Sequence, residues 1–525
     1  MSTTIYYNGD IITMAQPLTA EAVLVRDKRI EAVGTREDIL SLKEPNTSLV
    51  DLKGQTMLPA FIDPHSHICA LATTFLLVSL AGAKSMDEII QRIQAFIEEN
   101  HVPDGEWVMG YGYDHNTLAE HTQPTRAVLD RATASHPVLI SHASGHMGVV
   151  NSLALEKLNI HADTPDPDGG QIGREPGSQE PNGYLEENAF IQNAAPQQSL
   201  DARKQAMKKA QDTYLSYGIS TAQEGFVKED EFTILKQSAE EGLLKMDVVG
   251  YVELGQAKHI IKENPSYVKQ YQNHLKLGGY KIFLDGSPQG KTAWMTEPYE
   301  GEADGYRGYP AHPDETVKKF AQTAYDENLQ LLCHCNGDAA ADQYIAACES
   351  AKKDHDIRPV MIHAQTVRYD QLDRMKAISM IPSYFVAHVY YWGDIHLKNL
   401  GKERAQRISP VKTTAQKDMV YTLHQDTPVV PPDMLHTIWC AVCRMTKDGI
   451  QLGTKERADV IDALKGITIN AAYQYFEEHE KGSIEAGKRA DFVILDQNPL
   501  KVEKEAIRDI KVEQTIVENQ ILYER

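Results

Sequence analysis

Cysteine is scarce in this chain: six residues among 525, at positions 69, 333, 335, 348, 440 and 443. So few thiols in so long a sequence exclude a disulfide-stapled scaffold, and they are expected to be reduced. The C-x-x-C pair Cys440 and Cys443 has no second pair to complete a structural zinc set, and in IWCAVCR it reads as two buried small residues of a helix. A surplus of positive charge is also missing. Lys plus Arg number 53 against 74 Asp plus Glu, a formal net charge of −21, so the long-range field repels phosphate backbones and anionic lipid. Nucleic acid and membrane are therefore not expected as partners. The longest uncharged apolar run after the first histidines, Ile68 to Ala83, is too short to span a bilayer and carries Thr73, Thr74, Ser79 and Gly82. It reads as a buried segment. The start, MSTTIYYNGD, has neither the basic residues nor the apolar stretch of a signal peptide, so a cytoplasmic location is expected. A G-x-S-x-G nucleophile elbow is absent, which weakens any serine-hydrolase reading; SHASGH sets Ser141 and Ser144 near histidines only in sequence.

What is present is an ordinary globular composition, 42% hydrophobic and 24% charged, enough for a sizeable core. At roughly 150 residues per domain the length allows three or four domains, though one α/β barrel absorbs much of it. The first sixty residues read as short strands between turns (TTIYYNGDIITM, EAVLVRDKRIEAVG, TSLVDLKGQTMLP), and the last forty resemble them (GSIEAGKRADFVILDQNP, IKVEQTIVENQILYE). Two such fragments can pair into one small β-domain. Between them lie eight β-rich runs: 59–65, 217–224, 246–253, 279–286, 329–336, 359–365, 378–387 and 419–426. Amphipathic helix patterns such as DETVKKFAQTAYDEN separate several of them, the alternation of a parallel sheet. Eight repeats point to a closed (β/α)₈ barrel. The gap from about 70 to 215 is too long for one crossover and must hold an insertion, whose DTPDPDGGQIGREPGSQEPNG reads as a long surface or lid loop.

The ends of these runs carry the reactive groups. The first ends in His65 and His67, whose i, i+2 spacing on a strand aims both side chains one way. Lys281 lies on the fourth, His334 near the end of the fifth, His363 on the sixth and Asp426 closes the eighth. Four imidazoles, a lysine and a carboxylate converging on one barrel mouth suit zinc and similar borderline divalent metals. Any one of the 20 histidines means little alone; the coincidence of strand ends carries the signal.

In this order, LPAFIDPHSH, SGHMGVVNSLAL, DPDGGQIGR, KIFLDGSPQGKTA, HCNGD, IHAQ, QDTPVVPPDMLHTIWCAV and GSIEAGKRADFVILDQNPL resemble the signatures of the amidohydrolase superfamily, in its YtcJ-like branch, which includes N-substituted formamide deformylases. The resemblance spans essentially the whole chain. It implies an α/β fold: a metal-dependent (β/α)₈ barrel over 59–480 with the insertion at about 70–215, and a small β-sandwich built from 1–58 and 481–525. It also implies that His65, His67, His334, His363 and Asp426 are metal ligands, and that Lys281 is carboxylated by CO₂ to bridge two ions. From elementary electrostatics, an ammonium beside two cations is repelled, so Lys281 in the site must be neutral or a carbamate; the alternative is a lysine paired with Asp285. Departures from the family pattern fall at Ala60, Ile362, Tyr113 and HCNGD, and none removes a ligand position.

The expected activity is hydrolysis of a non-peptide carbon–nitrogen bond, in an amide, an N-substituted formamide or a related small molecule, by metal-activated water with Asp426 as general acid and base. One or two divalent ions are expected, zinc foremost, and a barrel of this size commonly forms a homodimer. His146, His388 and Tyr113 are candidates for substrate binding; His388 is equally placed for a structural role, and Asp63 and Asp338 read equally as turn residues. A lactonase or esterase on the same metal site is the nearest alternative, and a non-catalytic metal-binding barrel the next.

Overall fold

Each of the eight β-rich runs contains a strand, and the eight pair in chain order into one wholly parallel sheet. They are β1 (Phe61–Ile62), β2 (Ile219–Val227), β3 (Asp247–Glu253), β4 (Leu275–Phe283), β5 (Gln330–Cys335), β6 (Val360–His363), β7 (Ile381–Tyr384) and β8 (Thr422–Leu423). The coordinates, a computed structural model, describe residues 3–193 and 198–525. Nearly every strand residue is buried, as expected of a parallel sheet covered on both faces. The covering helices follow from sequence period. In Asp314–Asp326, Val317, Ala321, Ala324 and Tyr325 form the buried stripe, Pro313 occupies the N-cap, and Asp314 and Glu315 sit in the first turn, where the helix dipole favours acids. Gly218, at φ 82, makes the turn into β2, and a Cβ there would stand 2.7 Å from Val493. The sheet curls. Among the described residues β1 and β8 share no ladder, yet the segments beyond them meet: His67 N donates to Thr427 O at 2.8 Å, and His65 Nε2 lies 3.4 Å from Asp426 Oδ1. This geometry fits a barrel of the (β/α)₈ kind.

Strands from both chain ends form one further sheet of eight. Its joint is Thr56–Pro59 antiparallel to Phe492–Leu495, with Leu58 opposite Val493. Val23, Val25, Met57, Phe492, Ile494 and Ile516 pack together as its core. The first sixty and last forty residues therefore share one sheet, seven strands along one path with Ser48–Asp51 branching from Thr3–Ile12.

A buried ionic network lies at the N-terminal ends of β3 and β4. Asp247 opens β3 and accepts from Lys481 Nζ at 2.6 Å, Arg489 Nη1 at 2.5 Å and His274 Nδ1 at 2.8 Å. Lys481 also reaches Glu477 at 2.8 Å, Glu477 pairs with Lys276, and Arg489 reaches Asp491 at 3.0 Å. Burial alone would neutralise Asp247, but Lys481 and Arg489 hold its carboxyl well below the usual range. Arg489 and Asp491 lead directly into the strand Phe492–Leu495, so this network ties the lower rim of the parallel sheet to the terminal sheet.

By contact, the chain divides into two compact units, one running to Ala70 and resuming over Ala210–Arg525, the other Leu71–Lys209. The second has its own six-stranded sheet, in the order Gly170–Arg174, Pro181–Glu187, Met147–Val150, Val138–His142, Val108–Tyr113, Leu77–Ser79. Two expectations are corrected here. The Gly/Pro-rich stretch expected to be a surface or lid loop contributes both strands of an antiparallel hairpin, Gly170–Arg174 and Pro181–Glu187; its glycines serve left-handed turns, as at Gly169 and Gly177. The run Ile68 to Ala83, expected to be buried throughout, is a helix (Ile68–Thr74) followed by a short strand, with Ala70, Thr73, Ser79 and Ala81 exposed. All six cysteines are buried and free, Cys440 and Cys443 within the helix Met434–Cys443. Among the described residues no helix is long and apolar enough to cross a membrane.

The ionic network yields a stability test. Replacing Lys481 by Met leaves Asp247 and Glu477 buried with fewer countercharges, and removing one partner of a buried pair typically costs about 3–5 kcal/mol. Urea unfolding of Lys481→Met is expected to show that loss; a midpoint within error of wild type contradicts the role given to the network.

Candidate metal centre

The C-terminal ends of the parallel strands bring together all six groups expected there. His65 and His67 follow β1, their rings 5.2 Å apart, and both Nε2 atoms face Asp426 Oδ1, at 3.4 and 3.6 Å. His363 ends β6 and turns its Nε2 to within 3.0 Å of His334 Nδ1 on β5. Lys281 Nζ, on β4 and wholly buried, lies 3.3 Å from His65 Nε2. His363 (φ 71) and Asp426 (φ 55) have left-handed backbone, a conformation side chains pay to adopt and one that concentrates at functional sites.

The partners of the remaining ring nitrogens fix which lone pairs point inward. Gln223 donates through Nε2 to Pro64 O at 2.7 Å and to Tyr475 OH at 2.9 Å. Its Oε1 is thereby turned to accept from His65 Nδ1–H at 2.6 Å, and Nε2 of His65 is bare. Glu224 accepts from Cys69 N at 2.9 Å and holds His67 Nδ1–H at 3.3 Å. His334 donates from Nε2 to Gly286 O at 3.1 Å. His363 Nδ1 lies 3.1 Å from His424 Nε2, and His424 Nδ1 in turn meets Ser383 Oγ at 2.8 Å. The outward nitrogens of all four rings are thus held by neighbours in the way metal-ligating histidines are held, and their other nitrogens turn inward.

Electrostatics agree. Burial, reinforced by Lys281 and neighbouring rings, drives the pKa of His65 and His363 far down, and that of His334 to about 3, so all three are neutral. Burial opposes the imidazolium at His67 as well, but Glu224 and Asp426 outweigh it and its pKa rises. Desolvation lowers Lys281 to about 8 and raises Asp426. The alternative pairing of Lys281 with Asp285 does not occur: Asp285 accepts from the backbone N–H groups of Asn336 (2.9 Å), Gly337 (2.7 Å) and Trp294 (3.0 Å).

These residues fit a cation by a direct structural criterion. Asp426 Oδ1 is buried and finds no hydrogen-bond donor among the described residues, while two imidazole nitrogens lie 3.4 and 3.6 Å from it. A buried carboxylate oxygen without a donor is costly unless a positive centre lies beside it.

The other expected site residues are placed differently. His388 opens the helix after β7, is buried, and joins His396 through Nδ1 at 3.1 Å; its ring packs on Phe385, which itself packs on His363. Tyr113 does not line a pocket: it is fully buried in the apolar core of the Leu71–Lys209 unit, its hydroxyl donating to Gln123 Oε1 at 2.9 Å. A bulge in the pairing of Val108–Tyr113 with Val138–His142 shifts the alternation there and turns the ring inward. His146, in the same unit, has a side chain 61% exposed and meets Glu187 at 3.0 Å. Asp63 accepts from His65 N at 3.2 Å, a turn role, whereas Asp338 opens the helix Asp338–Ala351 and ties it to distant chain, accepting from Thr296 N at 2.8 Å and pairing with Arg368 at 3.2 Å. Gln223, Glu224, His424 and Ser383 were not anticipated. The second β-rich run does end in Gln-Glu, and His424 precedes Asp426 by two, the same spacing as His65 and His67.

Gly225 gives these partners a test. A Cβ there would stand 2.6 Å from His65 Cε1 and 2.9 Å from its Nδ1. Gly225→Ala and Glu224→Gln are each expected to weaken metal affinity by about 10- to 100-fold, measured by competition with a chromogenic chelator; unchanged affinity in both contradicts the ligand geometry.

Residues 48–523 match the family model described as "Amidohydrolase family". The chain is 27% identical over 535 aligned residues to the putative amidohydrolase YtcJ of Bacillus subtilis (strain 168), covering 99% of each. It is 26% identical to the N-substituted formamide deformylase of Arthrobacter pascens, covering 99% of this chain and 98% of that one. Among solved structures, an uncharacterized metal-dependent hydrolase from Pyrococcus furiosus superposes with a TM-score of 0.77 at 26% identity, covering 95% of this chain and 100% of the other.

Proposed function

Since the chain belongs to the amidohydrolase family and is a hydrolase of carbon–nitrogen bonds other than peptide bonds, we propose that it cleaves a small amide, with N-substituted formamides as the leading class. The observation that carries this reading is the meeting of His65 and His67 Nε2 at a buried Asp426 oxygen without a donor, with His334 Nδ1 and His363 Nε2 3.0 Å apart at the neighbouring strand ends. The framework proposed is a (β/α)₈ barrel with a terminal β-sandwich, supported by the curled parallel sheet and by the sheet shared between the chain ends.

His65, His67 and Asp426 would hold one divalent cation, and His334 with His363 a second; imidazole and carboxylate donors favour zinc. Such a cation, when bound, makes hydroxide available near neutral pH and polarises a scissile carbonyl. Burial holds the Lys281 amine near 8, so the neutral form that condenses with CO₂ is accessible, and its carbamate would lie beside His65. Asp426 takes the proton of the attacking water and returns it to the departing nitrogen. Burial raises its pKa, which brings the carboxylate closer to the balance between accepting and donating that this role requires. Gln223, Glu224 and His424 hold the ligand rings. His388 supports the wall behind His363 through Phe385.

Asp426→Asn is expected to lose about 10²–10⁴-fold in kcat while retaining much of its metal. Across a panel of formamides, N-acyl amines, cyclic amides and lactones, the wild type is expected to turn over amides first. Hydrolysis confined to lactones, or wild-type turnover by Asp426→Asn, contradicts the proposal.

A further inference from the structure

A second group of metal-competent side chains lies wholly within the Leu71–Lys209 unit. Asp114 and His115 leave the end of the strand Val108–Tyr113, and His142 ends the neighbouring parallel strand Val138–His142, where it pairs with Tyr113. The bulge at Tyr111 and Tyr113, with Gly112 at φ 85, bends the first strand and aims the residues beyond it back toward the second. Three donor atoms converge. His115 Nδ1 lies 3.2 Å from His142 Nε2, His142 Nε2 lies 3.5 Å from Asp114 Oδ1, and His115 Nδ1 lies 4.0 Å from the same oxygen.

These separations are informative. With metal–ligand bonds of about 2.0–2.1 Å, the edge of a tetrahedron is about 3.3–3.4 Å, and the edges here bracket that length. The candidate catalytic centre shows the same spacing, 3.4 and 3.6 Å from its histidines to Asp426. The donor atoms are also held in place. Ser144 N donates to His142 Nδ1 at 3.0 Å and Ser144 Oγ lies 2.9 Å from the same nitrogen, which fixes the ring with its Nε2 toward Asp114 and His115. Asn116 donates to Asp114 Oδ1 from its backbone at 2.9 Å and from its side chain at 3.0 Å. Gln123 Nε2 stands 3.2 Å from His115 Nδ1, and Tyr113 fixes the other end of that amide.

We propose that Asp114, His115 and His142 form a second binding site for a borderline divalent cation of the zinc class. Two imidazoles and one carboxylate are the donors such ions prefer. Three protein ligands leave a position open to water, and one ion there would clamp the segment after Val108–Tyr113 to the end of Val138–His142. The competing arrangement is a hydrogen-bonded cluster, in which one ring nitrogen keeps its proton and donates to the other; it uses the same contacts and has no cation affinity.

Counting metal in the full chain separates the two. Protein stripped with chelator is loaded with Zn(II) or Co(II), dialysed, and its metal measured by mass spectrometry. In a His65→Ala/His67→Ala background, adding His115→Gln/His142→Gln is expected to remove one further equivalent and the Co(II) visible bands that accompany it. Asp114→Asn, a milder change, is expected to weaken that equivalent by about tenfold or more. An unchanged metal count and Co(II) spectrum in both sets of variants overturns the site. Because it is read as a difference between variants, this outcome does not depend on the catalytic assignment, which fails separately if His65→Ala/His67→Ala loses no metal.

Discussion

Desolvation is the constraint on which this structure turns. At one end of a curled parallel sheet the chain buries His65, His67, Lys281, His334, His363, His424 and Asp426 among one another. Charged rings there are repelled by Lys281, and Asp426 Oδ1 has no hydrogen-bond donor among the described residues. A divalent cation would answer both conflicts together. Surrounding residues make sense as consequences, since Gln223, Glu224, Gly286 and His424 each occupy the outward nitrogen of a ring and leave the inward one free.

The other end of the sheet solves the same problem without a metal. Asp247, Glu477 and Asp491 are matched by Lys276, Lys481 and Arg489, so the charges there largely cancel inside the protein. One rim is balanced and ties the parallel sheet to the terminal one; the other is unbalanced and open to chemistry. The net charge of −21 describes neither. Local sign at the upper rim is set by the ion the ligands accept.

Much of this was legible in the sequence because strand position and chemistry coincide. His65, His67, Lys281, His334, His363 and Asp426 all fall on or just beyond β-rich runs, and the structure brings all six together. What escaped has physical reasons. Gln223, Glu224, His424 and Ser383 act through the outward nitrogen of a neighbouring ring, and spacing along the chain does not reveal which nitrogen faces which way. Tyr113, a candidate for substrate binding, sits where one bulged residue reverses the alternation and lies in the core of its unit. The hairpin at Gly170–Arg174 and Pro181–Glu187 looked like a loop because its glycines, needed for tight turns, also mark irregular chain. The cluster of Asp114, His115 and His142 depends on pairing between strands about 30 residues apart, which no local motif announces.

The account stands on where a cation binds. Anomalous diffraction at the zinc edge from crystals grown with zinc addresses it most directly. A peak within coordination distance of His65 Nε2, His67 Nε2 and Asp426 Oδ1 is the predicted result, with a second beside His334 Nδ1 and His363 Nε2 and density for a carbamate on Lys281. Fully occupied zinc elsewhere on the chain, with none at the ends of β1 and β8, would contradict it.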